Sequence, residues 1–245
     1  MADYREQAQF GAQTRTRTAA EIDEGLRSYM LGIYNYMAIA MVITGGVAMF
    51  VANMAMNNPA VAQVLYGSPL KWVVMLAPLA FILVLSFGIN KLSAGAAQMV
   101  FWAYAAVMGL SLSSIFLLYT GASIAQTFFV TAAAFGALSL YGYTTKRSLS
   151  GMGSFLMMGL FGLIIAMVVN IFLQSSALAF AVNVIGVLIF AGLTAYDTQR
   201  LKETYDMVVG NTEAMAKSSI MGALSLYLNF VNMFMFLLSF MGDRE

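Results

Sequence analysis

The chain has 245 residues, of which 61% are hydrophobic and only 9% charged, with a formal net charge of +1. Soluble domains carry roughly a quarter charged residues, so this composition cannot cover a water-exposed surface, and the length fits one helical membrane bundle rather than several domains. Cysteine and histidine are both absent, which excludes thiolate nucleophiles, disulfides, Cys/His zinc sites, His-ligated haem and histidine acid–base chemistry. A near-zero net charge with no dense basic patch also argues against a nucleic-acid partner.

Residues 1–28 form a polar amino-terminal segment. Thr18-Ala-Ala-Glu21 has capping-box spacing and predicts a short helix leading into the membrane. Asp3, Glu6, Glu21, Asp23 and Glu24 lie in this segment. With those acids, and with a long apolar run following, it does not read as a secretory signal peptide.

Residues 29–245 form the transmembrane domain. Seven apolar segments are predicted at about 29–54, 71–90, 97–119, 123–142, 154–173, 177–198 and 219–241, each near the ~20 residues that cross a bilayer as a helix. The segments are too long and too evenly apolar for strands, and a spanning helix satisfies its own backbone polar groups where lipid cannot.

Pro59 and Pro69 bracket the first loop, Asn57 to Leu70, in which Ala60 to Tyr66 is predicted as a short interfacial helix. Pro78 falls inside the second span and predicts a kink there. Ala105, Gly109 and Ser113 in span 3, and Gly159 and Gly162 in span 5, are small enough to let helices approach closely. The twenty methionines are spread through the spans and suit adaptable packing better than soft-metal binding. Trp72, Trp102, Tyr34, Tyr36 and Tyr119 lie near predicted span ends, as an aromatic belt requires.

Ten of the twelve Lys and Arg residues fall on one side of these spans. They are Arg5, Arg15, Arg17 and Arg27 before span 1, Lys91 after span 2, Lys146 and Arg147 after span 4, and Arg200, Lys202 and Lys217 after span 6. Lys71 and Arg244 lie on the other. The positive-inside rule then places the amino terminus in the cytoplasm and the carboxyl terminus outside.

Asp197 is the one acid that falls inside a predicted span, near the cytoplasmic end of span 6. A carboxylate there needs a partner, water or an ion. In span 7, Ser225, Asn229 and Asn232 recur at i, i+4 and i+7 and share one helical face. Asn183 lies four turns before Asp197 on roughly the same face of span 6. Such oxygen donors around one cavity suit hard cations or a proton relay. Two plainer roles stand beside this one: Asp197 pairing with Arg200 at i+3, and the asparagines acting as interhelical hydrogen-bond donors. A paired-carboxylate protease is disfavoured by the lack of a second acid within a span. Serine-protease chemistry lacks its histidine base and its Gly-x-Ser-x-Gly elbow. The chain reads as no enzyme and as needing no cofactor.

Three motifs then carry a resemblance. They are Tyr34-Asn-Tyr-Met in span 1, Ala195-Tyr-Asp-Thr-Gln-Arg-Leu-Lys in span 6, and Leu224-Ser-Leu-Tyr-Leu-Asn-Phe-Val-Asn-Met-Phe in span 7. Together they make the chain resemble the Bax inhibitor-1 family, most closely its bacterial members. The resemblance implies an all-α integral membrane fold of seven helices, six around a central seventh, and a pH-sensitive calcium leak. It implies a proton-sharing pair of aspartates on helices 6 and 7, with a basic residue at the end of helix 2 that latches onto the pair. Asp197 takes the place of the first aspartate and is the candidate Ca²⁺ ligand. Lys91 takes the latch position, and Arg200 is a second candidate latch. The second aspartate is replaced by Asn229, so the proton-sharing pair cannot form as described.

The expected function is therefore an ion leak of the cytoplasmic (inner) membrane, passing Ca²⁺ or H⁺ along Asp197, Asn229, Asn232, Ser225 and Asn183. The alternative is a non-conducting membrane protein that modulates a membrane-bound protease, with residues 1–28 as the natural contact.

Overall fold

The computed structural model describes residues 19–243, with side chains from Asp23 onward. Thr18 and the side chain of Glu21, on which the expected capping box rests, most of the 1–28 segment, and Arg5, Arg15, Arg17 and Arg244 lie outside what is described. The described chain is helical almost throughout. Its helices are α1 (Ala19–Asn57), α2 (Pro59–Ala62), α3 (Leu70–Gly88), α4 (Ala94–Leu112), α5 (Gly121–Thr144), α6 (Ser150–Leu173), α7 (Ser176–Val208) and α8 (Thr212–Met241). Among the described residues, seven helices are long and apolar enough to cross a membrane. The protein is an all-α membrane protein, and because α2 is a short extra turn, spans 2 to 7 correspond to α3 to α8.

Side chains at the loops fix where helices start. Ser93, Thr120, Ser175 and Asn211 each accept a hydrogen bond from a backbone N–H of the first turn of α4, α5, α7 and α8, at 3.0–3.3 Å. Each satisfies a donor that the helix itself cannot. The first loop is helical from Pro59 to Gly67, with Asn58 capping α2 and a π turn following it, close to the predicted interfacial helix. α3 continues through Pro78, whose ring removes the N–H that would otherwise bond the carbonyl of Val74.

The main departure from the sequence reading is at the boundaries of α1, α7 and α8. The expected loop between spans 6 and 7 shrinks to Val209–Asn211, because α7 runs ten residues past residue 198 and α8 begins seven residues before 219. Apolar length marks where hydrocarbon ends, not where a helix ends. Past residue 198 the chain is rich in helix formers, and Leu201 and Tyr205, one turn apart, are both buried. Tyr205 lies against Tyr29 of α1 with ring centroids 5.6 Å apart, so this extension is held by packing on an equally extended α1.

Of the apolar stretch of α8, 61% of residues are buried, against 11% each for α3 and α6. Of the six helices expected around this central one, α1, α4, α5 and α7 pack directly against it. α3 makes its principal contacts with α4, and α6 with α7. Close approaches fall where small residues were noted. A Cβ on Gly109 would lie 2.5 Å from the Thr44 carbonyl oxygen of α1, and Thr44 Oγ1 donates to the Ala105 carbonyl at 2.9 Å. Gly159 faces Ile189, whereas Gly162 has nothing within 4 Å and faces open space. Tyr36 and Trp102, expected in the aromatic belt, meet in a tilted contact with ring centroids 5.7 Å apart between α1 and α4, while Trp72 is exposed at the start of α3.

Candidate ion-pathway site around Asp197

Asp197 is the only charged residue among the buried ones described. Its Oδ1 lies 2.8 Å from Arg200 Nη2, one helical turn on, and its Oδ2 accepts a hydrogen bond of 2.8 Å from Asn229 Nδ2 on α8. Both carboxylate oxygens are therefore satisfied, one by a charge and one by a neutral amide, as a desolvated carboxylate requires. Arg200 Nη2 also sits 3.5 Å from Ser225 Oγ, and its guanidinium lies 5.7 Å from the centroid of the Tyr196 ring, a cation–π distance.

Successive residues of the span 6 motif face different neighbours, as a helix advancing about 100° per residue demands. Asp197 turns to α8. Thr198 Oγ1 bonds back to the Thr194 carbonyl at 2.8 Å. Gln199 reaches the α5–α6 loop, accepting from Leu149 N–H at 2.7 Å and donating to the Arg147 carbonyl at 2.9 Å. Leu201 is buried, and Lys202 Nζ donates to the Tyr143 carbonyl at the end of α5 at 3.0 Å. The motif thus ties α7 to the helices or loops on either side while presenting one carboxylate to the interior.

The site opens into a cavity of about 820 Å³ bounded by α3, α4, α6, α7 and α8. Asp197, Arg200, Ser225, Asn229 and Asn232 all line it, with Tyr196 beside them; most of its other walls are apolar. Asn232 donates to the Leu228 carbonyl of its own helix at 2.8 Å. The structure does not bring every expected residue here. Asn183 lies ~21 Å from Asp197 along α7 at the helical rise, and donates instead to Ser239 Oγ at 3.0 Å. Lys91 sits exposed in the turn after α3, with no side-chain hydrogen bond or ion pair among the described residues. Arg200, not Lys91, is the basic residue paired with Asp197.

Sequence reasoning missed Tyr196 and the apolar walls from α3 and α6. Adjacency to Asp197 was a signal for the first; no motif marks the second. Among the described residues, no group of three or more acidic side chains could hold a metal ion. A cation here would meet one carboxylate with amide and hydroxyl oxygens beside it, and would have to displace Arg200 to reach Oδ1.

Fold and site together define a polytopic helical membrane protein in which, among the described residues, one buried carboxylate bridges the last two helices. The family model described as "Inhibitor of apoptosis-promoting Bax1" matches residues 26–245, and the chain belongs to this Bax inhibitor-1 family. It is 49% identical over 238 residues to an uncharacterized protein of Caulobacter vibrioides, covering 94% of each chain. It is 47% identical to an uncharacterized protein of Rickettsia prowazekii, covering 95% of this chain and 96% of that one. It is also 49% identical to the inner membrane protein YbhL of Escherichia coli K12, over 90% of this chain and 94% of that one.

Proposed function

We propose that the protein is a cation leak of the cytoplasmic membrane, with Ca²⁺ as the transported ion, Asp197 as its anionic ligand and Arg200 as the latch that closes the path. The observation that carries this reading is the divided carboxylate: Oδ1 is held by a half-exposed Arg200 and Oδ2 by Asn229. An arginine with 48% of its side chain in solvent can leave Asp197 at modest cost. Its departure exposes a carboxylate flanked by Asn229, Asn232 and Ser225 in one cavity, a set of hard oxygen donors. Because position 229 is an asparagine, protonation acts on one carboxylate rather than on a pair, so pH modulates passage only weakly. The relative named as an inner membrane protein and the distribution of basic residues support a cytoplasmic-membrane location with the amino terminus inside. In this reading the protein is a conduit and catalyses no reaction.

The test is Ca²⁺ entry into liposomes holding the purified protein and an internal indicator. Entry well above that of empty liposomes is expected. Entry equal to empty liposomes would overturn the leak, and would favour a non-conducting protein acting on a membrane protease.

A further inference from the structure

Although α8 is the most enclosed helix, one stripe of it is left partly uncovered. Ser225, Leu228, Asn232, Met235 and Phe236 are half-buried while the residues between them, Met233 and Asn229 included, are mostly buried. Spacings of three and four put this stripe on one face, and it floors the 820 Å³ cavity. The side walls are the edges of α3 and α6, where Met75, Leu79, Met157, Ile164 and Met167 are 44–55% exposed. Since α3 is held chiefly by α4 and α6 chiefly by α7, the cavity opens sideways between α3 and α6. In a bilayer, sideways means into lipid.

The chemistry of the cavity runs from one end to the other. Asp197, Arg200, Ser225 and Asn229 gather towards one end; Ser111 and Asn232 lie apart from them, and the remaining walls are almost all aliphatic, aromatic or methionine. The apolar walls offer ordered water few of the polar partners it needs, and protein interiors do not leave such volume unpacked. Five methionines line it: Met75, Met108, Met157, Met167 and Met235. Unbranched thioether side chains repack around a flexible apolar guest. Arg200 lies ~36 Å along α7 from Ser176 at the helical rise, beyond the ~30 Å hydrocarbon thickness, and so at headgroup level. Both of its polar contacts use Nη2; among the described residues Nη1 and Nε donate to no acceptor. Asp197 does not leave a net negative charge at this end, because Arg200 balances it.

We propose that a glycerophospholipid inserts one acyl chain into this cavity between α3 and α6, with its phosphate on the free donors of Arg200. Its assignment to the cytoplasmic leaflet rests on the orientation given under Proposed function; the binding itself does not depend on conduction. The occupant is a membrane lipid rather than free phosphate, since the cavity offers the phosphate only the spare donors of an arginine already paired with Asp197, and offers the chain its whole apolar length.

The test uses the full chain in vesicles containing a phosphatidylglycerol with a diazirine in mid-chain. After illumination, adducts are mapped by mass spectrometry. Adducts are expected on the α8 stripe, at Leu228 and Met235, besides the outward faces of α3 and α6. Ile164→Trp, at the lipid-facing mouth, should lower the α8 adducts several-fold and leave those at outward Phe87 unchanged. Arg200→Gln should also lower them several-fold, and added inorganic phosphate should not compete. Adducts confined to outward residues such as Phe87 and Phe172 would overturn the proposal. So would reaction of Leu228→Cys, in this otherwise cysteine-free chain, with a membrane-impermeant maleimide as fast as an exposed cysteine, which would show a water-filled cavity. Crosslinks at the stripe between two copies would overturn it in favour of a dimer. Adducts on α8 without Ca²⁺ entry would leave this inference standing while the leak fails, and Ca²⁺ entry without them would do the reverse.

Discussion

Replacing Arg200 by glutamine removes the latch while keeping most of its apolar stem. The size of the effect follows from the environment of the pair. Nη2 and Oδ1 are 2.8 Å apart, with 48% of the arginine side chain exposed but only 11% of the aspartate. Fully exposed pairs contribute ~0–1 kcal/mol, and breaking a fully buried one costs ~3–5 kcal/mol. A pair with one buried partner and one half in water belongs between these, at about 1–2 kcal/mol. Since ~1.4 kcal/mol is a factor of ten, losing the latch should shift the closed-to-open ratio about tenfold. Initial Ca²⁺ entry into indicator-loaded liposomes should rise by about that factor. Arg200→Lys should fall between wild type and Arg200→Gln, because an ammonium keeps the charge but loses the planar contact with Tyr196 and the fork geometry. Entry through folded Arg200→Gln equal to wild type would refute the latch. It would leave the Asp197–Arg200 pair as a surface contact without a gating role.

Three further outcomes are expected. Reporter fusions should be active in the cytoplasm when placed after residue 28 or residue 150, and active outside when placed after Glu245, following the ten-to-two split of basic residues; a cytoplasmic carboxyl terminus would mean that one span does not cross. Asn229→Asp puts a second carboxylate within hydrogen-bonding distance of Asp197 Oδ2, where two carboxylates hold one proton between them. Flux should then depend more steeply on pH, and the added steepness should vanish in Asn229→Asp combined with Asp197→Asn; an unchanged profile in the folded single variant would contradict the 197–229 pairing. Gly142→Val should lower the thermal midpoint in detergent, at a cost of about 1–3 kcal/mol, because a Cβ there runs into the Ala195 carbonyl of α7. By contrast Gly162→Ala, inside α6 with no neighbour within 4 Å, should not destabilise and should gain up to about 1 kcal/mol from helix propensity.

Span number and order were legible because a bilayer imposes one length and forbids unpaired backbone, so a run such as residues 154–173 can be little else than a helix. Asp197 and Asn229 were legible for a related reason: a carboxylate or amide in an apolar run stands out, and the i, i+4, i+7 spacing put Asn229 on a face with Ser225 and Asn232. What pattern could not supply was depth and rotation between helices. Asn183 shares a face with Asp197, yet four turns of rise carry it to Ser239 at another level of the bundle. The continuation of α7 through Leu201 and Tyr205 was hidden by its charges, since hydropathy sees the membrane edge and not packing on α1. The gap between α3 and α6 was invisible because residues facing lipid and residues facing an apolar cavity are the same types.

The claim that ions pass Asp197 is tested most directly by the Ca²⁺ entry rate of Asp197→Asn beside wild type in the same liposomes. Asparagine matches the aspartate in shape and keeps a hydrogen-bonding side chain for Asn229, so the fold should persist while the anionic ligand is lost. The account predicts wild-type entry above that of empty liposomes, and a marked fall in Asp197→Asn at equal protein content. Equal entry through the two proteins would contradict it, and would place any path elsewhere in the bundle.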